Sequence, residues 1–172
     1  MRKYIVIGVA VVLLVAVNFS IYAKQKLLTE GRAVFLELAP VDPRSLMQGD
    51  YMALRFKAAD AAFRTGIALL PTDGRIVLTV AENGIAQYRR FDDGKLLDPD
   101  EIVMRYRIRN EQPKFATNAF FFQEGHAQYY NRARYGEFRV ADNGEAILVD
   151  MRGEGLKVLG PDAADGRKKF HP

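Results

Sequence analysis

A chain that opens Met1-Arg2-Lys3 and then runs through residues 4–17 without one charge must find an apolar home for that segment before the rest of its fold is decided. Residues 18–23, Asn-Phe-Ser-Ile-Tyr-Ala, continue the run more weakly. As a helix, residues 4–22 would rise roughly 28 Å at about 1.5 Å per residue, close to the hydrocarbon thickness of a bilayer. The run lacks the polar face expected of a helix packed on a soluble core. A single membrane span over residues 1–23 is therefore predicted. Arg2 and Lys3 before it, against Lys24 and Lys26 after it, place the N-terminus in the cytoplasm and the remainder outside. A cleaved signal peptide ending at Ala23 is the rival reading. Ile21 stands where a cleavage site prefers a small residue, and no Cys follows for lipid attachment, so an uncleaved anchor is expected.

What remains is the length of one domain, residues 24–160, with a Gly-, Asp- and Lys-containing tail over 161–172 that is expected to fray. No internal repeat or low-complexity block interrupts it. The absence of Cys excludes disulfides and thiolate chemistry, so packing alone must hold the domain. The net charge of +4 comes from 25 basic and 21 acidic residues, and without Arg2 and Lys3 the basic count falls to 23. Such a balance does not suit a nucleic-acid binder.

The dominant hydrophobic period in the domain is two, the signature of strands. Val34, Leu36 and Leu38 alternate with Phe35, Glu37 and Ala39; Met52, Leu54 and Phe56 alternate with Tyr51, Ala53, Arg55 and Lys57. Ile102, Met104, Tyr106 and Ile108 alternate with Val103, Arg105, Arg107 and Arg109, which predicts one buried and one solvated face. Asn83-Gly84 predicts a tight turn between strands at 75–81 and 85–91, and Asp142-Asn143-Gly144 one between 136–140 and 145–151. Asp73-Gly74 and Asp93-Gly94 read as further turns. Short helices are predicted over 58–64 and 124–134, the second placing Ala127, Tyr130 and Arg134 on one face. The fold class that follows is α+β: an N-terminal transmembrane helix, then a mainly antiparallel sheet or partly open barrel with one or two short helices.

Two motifs carry a family resemblance. In Gly49-Asp50-Tyr51-Met52-Ala53-Leu54-Arg55-Phe56 the pattern Gly-Asp-Tyr-x-x-Leu-x-aromatic resembles the motif that names the GDYXXLXY protein family, with Phe56 where Tyr is usual. Phe120-Phe121-Phe122-Gln123-Glu124-Gly125-His126 is similar to an aromatic strand running into Glu-Gly and a helix in the C-terminal half of that family, with Gln123 in place of a frequent Pro. The resemblance implies a membrane-anchored bacterial protein facing the periplasm or cell exterior from the inner membrane. It also implies genomic company with multi-pass membrane proteins, and supplies no catalytic residues.

The chemistry of individual residues leaves several readings open. Gly49 and Asp50 suit a bend before a strand, with Asp50 accepting from backbone amides. Glu124 is expected at a helix start, and His126, the domain's one His before the tail, would titrate near neutrality. Asp50, Glu124 and His126 are the residues an enzyme would use. A weak likeness to serine–lysine hydrolases offers only Ser45 with Lys57 or Lys114. No metal-ligand spacing is present and no cofactor is expected. Arg105, Arg107 and Arg109 form a basic stripe at intervals of about 6.6 Å, suited to anionic headgroups, an acidic partner or cross-strand ion pairs. Tyr129 and Tyr130, with the Phe120 to Phe122 run, offer aromatic interface surface. The reading is a non-catalytic accessory or assembly module that binds the bilayer and a multi-pass membrane protein. A tethered binder of an envelope lipid or glycan is the alternative, and a membrane-bound hydrolase the second.

Overall fold

The computed structural model describes residues 2–40, 47–48, 51–64, 66, 71–110 and 112–161. Arg2–Glu30 form one helix, α1, which runs past Ala23. Its described side chains as far as Lys26 are all exposed; Leu14 is 65% and Phe19 71% accessible. Two polar residues in the run bond back to the helix: Asn18 Nδ2 donates to the Leu14 carbonyl at 2.8 Å and Ser20 Oγ to the Ala16 carbonyl at 2.9 Å, which lowers the number of polar groups left to the surroundings. Leu27 is the first described α1 side chain to be buried, against the domain.

The elements that follow are β1 (Arg32–Glu37), β2 (Met47–Gln48), β3 (Tyr51–Ala53), α2 (Lys57–Ala62), β4 (Asp73–Val80), β5 (Ile85–Phe91), β6 (Glu101–Arg109), β7 (Gln112–Lys114), β8 (Ala119–Phe121), α3 (Ala127–Tyr130), β9 (Tyr135–Val140) and β10 (Ala146–Arg152), with a short 3-10 turn at Glu154–Leu156. Seven strands form one sheet in the order β10-β9-β1-β5-β4-β6-β7, and β2-β3-β8 form a small second one. β1 and β5 run parallel; the other neighbouring strands run antiparallel. The large sheet curls into a half-barrel, and the architecture is the α+β one expected, behind an N-terminal apolar helix.

The concave face holds the core. Val34 and Leu36 of β1, Ile76 and Leu78 of β4, Met104 of β6 and Phe138 of β9 are wholly buried. Phe56 lies 5.4 Å from the ring of Phe138 and 6.4 Å from that of Phe115. Small side chains at Ala58, Ala59 and Ala62 let α2 lie against the sheet. Phe63, just beyond, meets Tyr106 edge-on at 5.0 Å and Phe91 at 5.7 Å. Burial raises the Tyr106 hydroxyl above its ordinary value of 10.0.

Three local expectations change in the structure. Asp73-Gly74 is not a turn but the start of β4, where Gly74 lies opposite Tyr106 and a Cβ would come within 2.6 Å of the tyrosine oxygen. Glycine is needed there for close approach. Val103, expected on the solvated face, is buried because the β9–β10 turn covers it, with a Cβ at Gly144 falling 3.0 Å from its Cγ1. The helix expected over 124–134 shrinks to the single turn α3, and Glu124 and Gly125 form a preceding turn with Gly125 at φ +78°.

Candidate interaction site

The motif strand places its residues on two faces by simple alternation. Met52, Leu54 and Phe56 are buried at 2%, 5% and 2% exposure, while Tyr51 and Ala53 are half-buried and Arg55 exposed. The period of two outlasts β3, which ends at Ala53, because an isolated bridge between Leu38 and Phe56 holds the chain extended as far as α2. Tyr51 pairs with Phe121 of β8, ring centroids 5.7 Å apart, and Phe121 is 72% exposed. Gly49, Asp50 and Ser45 lie outside the described residues.

Behind this strand opens a cleft of about 1250 Å³. It lies at the far end of β1 from α1, between the motif strand, the α3 region and the C-terminal turn. Leu38, Met52 and Leu159 give it apolar walls. Lys57 Nζ binds Glu37 Oε1 at 2.5 Å and Arg55 Nε binds Asp60 Oδ1 at 2.7 Å. Arg132, Arg134 and Lys157 also line it and have no carboxylate partner among the described residues. Tyr130 faces the cleft from α3, its ring 5.0 Å from Phe120 and 5.6 Å from Phe122.

Glu124 is exposed and sits two residues ahead of His126, the residue that caps α3. A helix of four residues has almost no dipole to offer it. The His126 ring meets Tyr129 edge-on at 5.4 Å. The exposed pairing of Lys57 with Glu37 is the opposite of the desolvated, uncharged lysine that a serine–lysine dyad needs. Among the described residues no three His, Asp or Glu side chains gather as metal ligands.

A second cleft, of about 950 Å³, lies where the curled sheet fails to close, between β6–β7 and the β9–β10 hairpin. The basic stripe is here: Arg105, Arg107 and Arg109 are all exposed and line it, with Lys24, Arg75 and Lys114. The Arg105 amide donates to the Gly144 carbonyl at 2.8 Å and Arg105 Nε to the Asn143 carbonyl at 3.2 Å, closing the seam at one point. Lys24 of α1 is ion-paired with Glu145 in the same turn. Arg107 Nε holds Asp73 Oδ1 at 2.6 Å, and that hydrogen bond, assisted by the Arg107 and Arg109 charges against a weaker desolvation, keeps the Asp73 carboxyl below 3.8. Arg75 pairs with Asp92 at 2.7 Å.

Sequence reasoning isolated the Arg stripe but not its company. Arg75 and Lys114 join it through the pairing of β4 and β7 with β6, Lys24 only through curling of the sheet, and Lys157 meets Arg132 and Arg134 from a separate segment. The alternation Arg132-Ala133-Arg134 ahead of β9 was the one local signal for the far cleft.

The chain is thus a half-barrel behind an apolar helix whose described side chains are exposed as far as Lys26, with basic clefts at its seam and far end. The chain belongs to the GDYXXLXY protein family, whose model matches residues 13–151. The match takes in the C-terminal part of α1, the motif strand and the lining of the seam cleft, and stops before the C-terminal turn that lines the far cleft. No curated protein and no solved structure matches it.

Proposed function

We propose that this chain is a membrane-anchored accessory or assembly module that binds another, multi-pass membrane protein and carries out no catalysis. α1 crosses the inner membrane once, uncleaved, and the half-barrel faces the periplasm or cell exterior. The observation that carries this reading is α1 itself: along its apolar run no described side chain is buried by the protein. An apolar surface of that extent needs lipid or a partner helix around it. The exposed ring of Phe121, set against half-buried Tyr51, with Tyr129 nearby in sequence, supplies the kind of side chains that anchor protein interfaces.

The test is purification of the tagged full-length chain from its native membrane in mild detergent, with mass spectrometry of its N-terminus and of what co-elutes. A retained N-terminus and a stoichiometric multi-pass partner, lost on Phe121→Ala or Tyr129→Ala, are expected. A lone protein cleaved after Ala23 would overturn the reading.

A second reading, a tethered binder of an envelope ligand, is favoured by the far cleft. Three cations without carboxylate partners among the described residues, above apolar walls, suit an anionic lipid or glycan.

A further inference from the structure

We infer that the seam cleft between β6–β7 and the β9–β10 hairpin holds the phosphate of an anionic phospholipid headgroup from the bilayer that anchors the chain. This rests on the proposal that α1 crosses a membrane. Lys24 is the first charged residue after the uncharged run of residues 4–23. A lysine closing an apolar span sits at the edge of the hydrocarbon, with its ammonium among the headgroups. Lys24 is ion-paired with Glu145, and the turn that carries Glu145 accepts two hydrogen bonds from Arg105. These contacts link the near wall of the cleft directly to the headgroup layer, which is roughly 5–8 Å deep on each side of a bilayer.

The charge pattern asks for an anion. Lys24, Arg75 and Arg107 each have a carboxylate partner, whereas Arg105, Arg109 and Lys114 have none among the described residues. Arg105 also lies directly across the β4–β6 ladder from Arg75, whose charge Asp92 already meets, which leaves Arg105 as the member of the pair open to an outside anion. Guanidinium groups suit a phosphate geometrically. The opposite wall, half-buried Ile147 and Leu148 on the edge strand β10, gives apolar surface for the carbon chain next to the phosphate. A soluble phosphate meets the same cations, but the bilayer presents its headgroups to them at the high effective concentration the anchor imposes.

The experiment reconstitutes the full-length chain into nanodiscs of phosphatidylcholine, with or without phosphatidylglycerol. Native mass spectrometry counts retained phosphatidylglycerol, and hydrogen exchange follows residues 103–109 and 143–148. Selective retention with slowed exchange in both segments is expected. The R105Q/R109Q/K114Q variant should lose phosphatidylglycerol affinity by about fivefold per cation removed. R64Q/R89Q/K95Q, which removes the same charge from exposed positions outside both clefts, should not, and unchanged exchange in β1 and β9 shows that both variants are folded. Equal retention by the two variants, or no preference for phosphatidylglycerol in the unmodified chain, would overturn the inference. The same protection from sn-glycerol 3-phosphate in phosphatidylcholine discs would overturn the lipid as occupant. If the chain enters neither disc, it is the anchor reading that fails.

Discussion

The amide of Arg105 donates to the carbonyl of Gly144 at 2.8 Å, joining β6 to the tip of the β9–β10 hairpin and drawing the free ends of the half-barrel together. Gly144 sits at φ +82°, and a Cβ there would stand 3.3 Å from the Arg105 nitrogen and 3.0 Å from Val103. Gly144→Ala is expected to cost about 1–3 kcal/mol through left-handed strain and crowding. Thermal unfolding of the full-length chain in nanodiscs should fall by about 2–4 °C per kcal/mol. An unchanged transition would mean that the seam is not closed by this contact.

Arg152 on β10 binds the buried carboxylate of Glu137 on β9 through Nε at 2.7 Å and also through Nη2. Glu137 is 6% exposed, so removing its partner strands a charge. Arg152→Ala should cost about 3 kcal/mol, while replacing both residues by apolar ones, E137L/R152M, should restore much of the loss. Urea midpoints of the two variants decide the matter. A harmless Arg152→Ala would show that the pair is solvated.

The pH dependence of Asp73 has a definite sign. Its carboxyl is held below 3.8 chiefly by the hydrogen bond from Arg107. A depressed folded value stabilises the fold at pH above the unfolded value, and that contribution is lost as pH falls below 3.8 through the folded value. Carbon-13 NMR of the side chain should give a midpoint below 3.8 that rises in Arg107→Gln. No difference between the two would refute the pairing. Asp73 is surface-exposed, so the effect on global stability should be slight.

Phe56 and Phe121 separate stability from binding. Phe56 is 2% exposed and Phe121 72%. Phe56→Ala should cost about 3–5 kcal/mol, measured by denaturant unfolding. Phe121→Ala should stay within about 0.5 kcal/mol yet reduce recovery of a membrane partner. A strongly destabilised Phe121→Ala would place that ring in the fold rather than at an interface.

The sequence made the period-two strands legible, because each one's pattern is written in its own residues. β5 lies over the predicted residues 85–91, and turns occur at Asn83-Gly84 and Asp142-Asn143-Gly144. What escaped depends on distant partners. Asp73-Gly74 has turn chemistry but is drawn into β4 by pairing with β6, and Val103 is buried by a hairpin some 40 positions onward. The 124–134 helix failed locally: Gly125 takes a positive φ, and residues from Tyr135 are recruited by β1. The Arg stripe could be read from alternation, but its junction with Lys24 could not, because that requires the curl of a seven-stranded sheet.

The claim on which the account stands is that α1 spans a bilayer with the half-barrel outside, and the chain's lack of Cys makes this directly measurable. Single Lys3→Cys and Lys157→Cys variants, expressed in spheroplasts, would be exposed to a membrane-impermeant maleimide before and after lysis. Lys157→Cys is expected to be labelled in intact spheroplasts and Lys3→Cys only after lysis. Labelling of Lys3→Cys before lysis, or protection of Lys157→Cys until then, would contradict it.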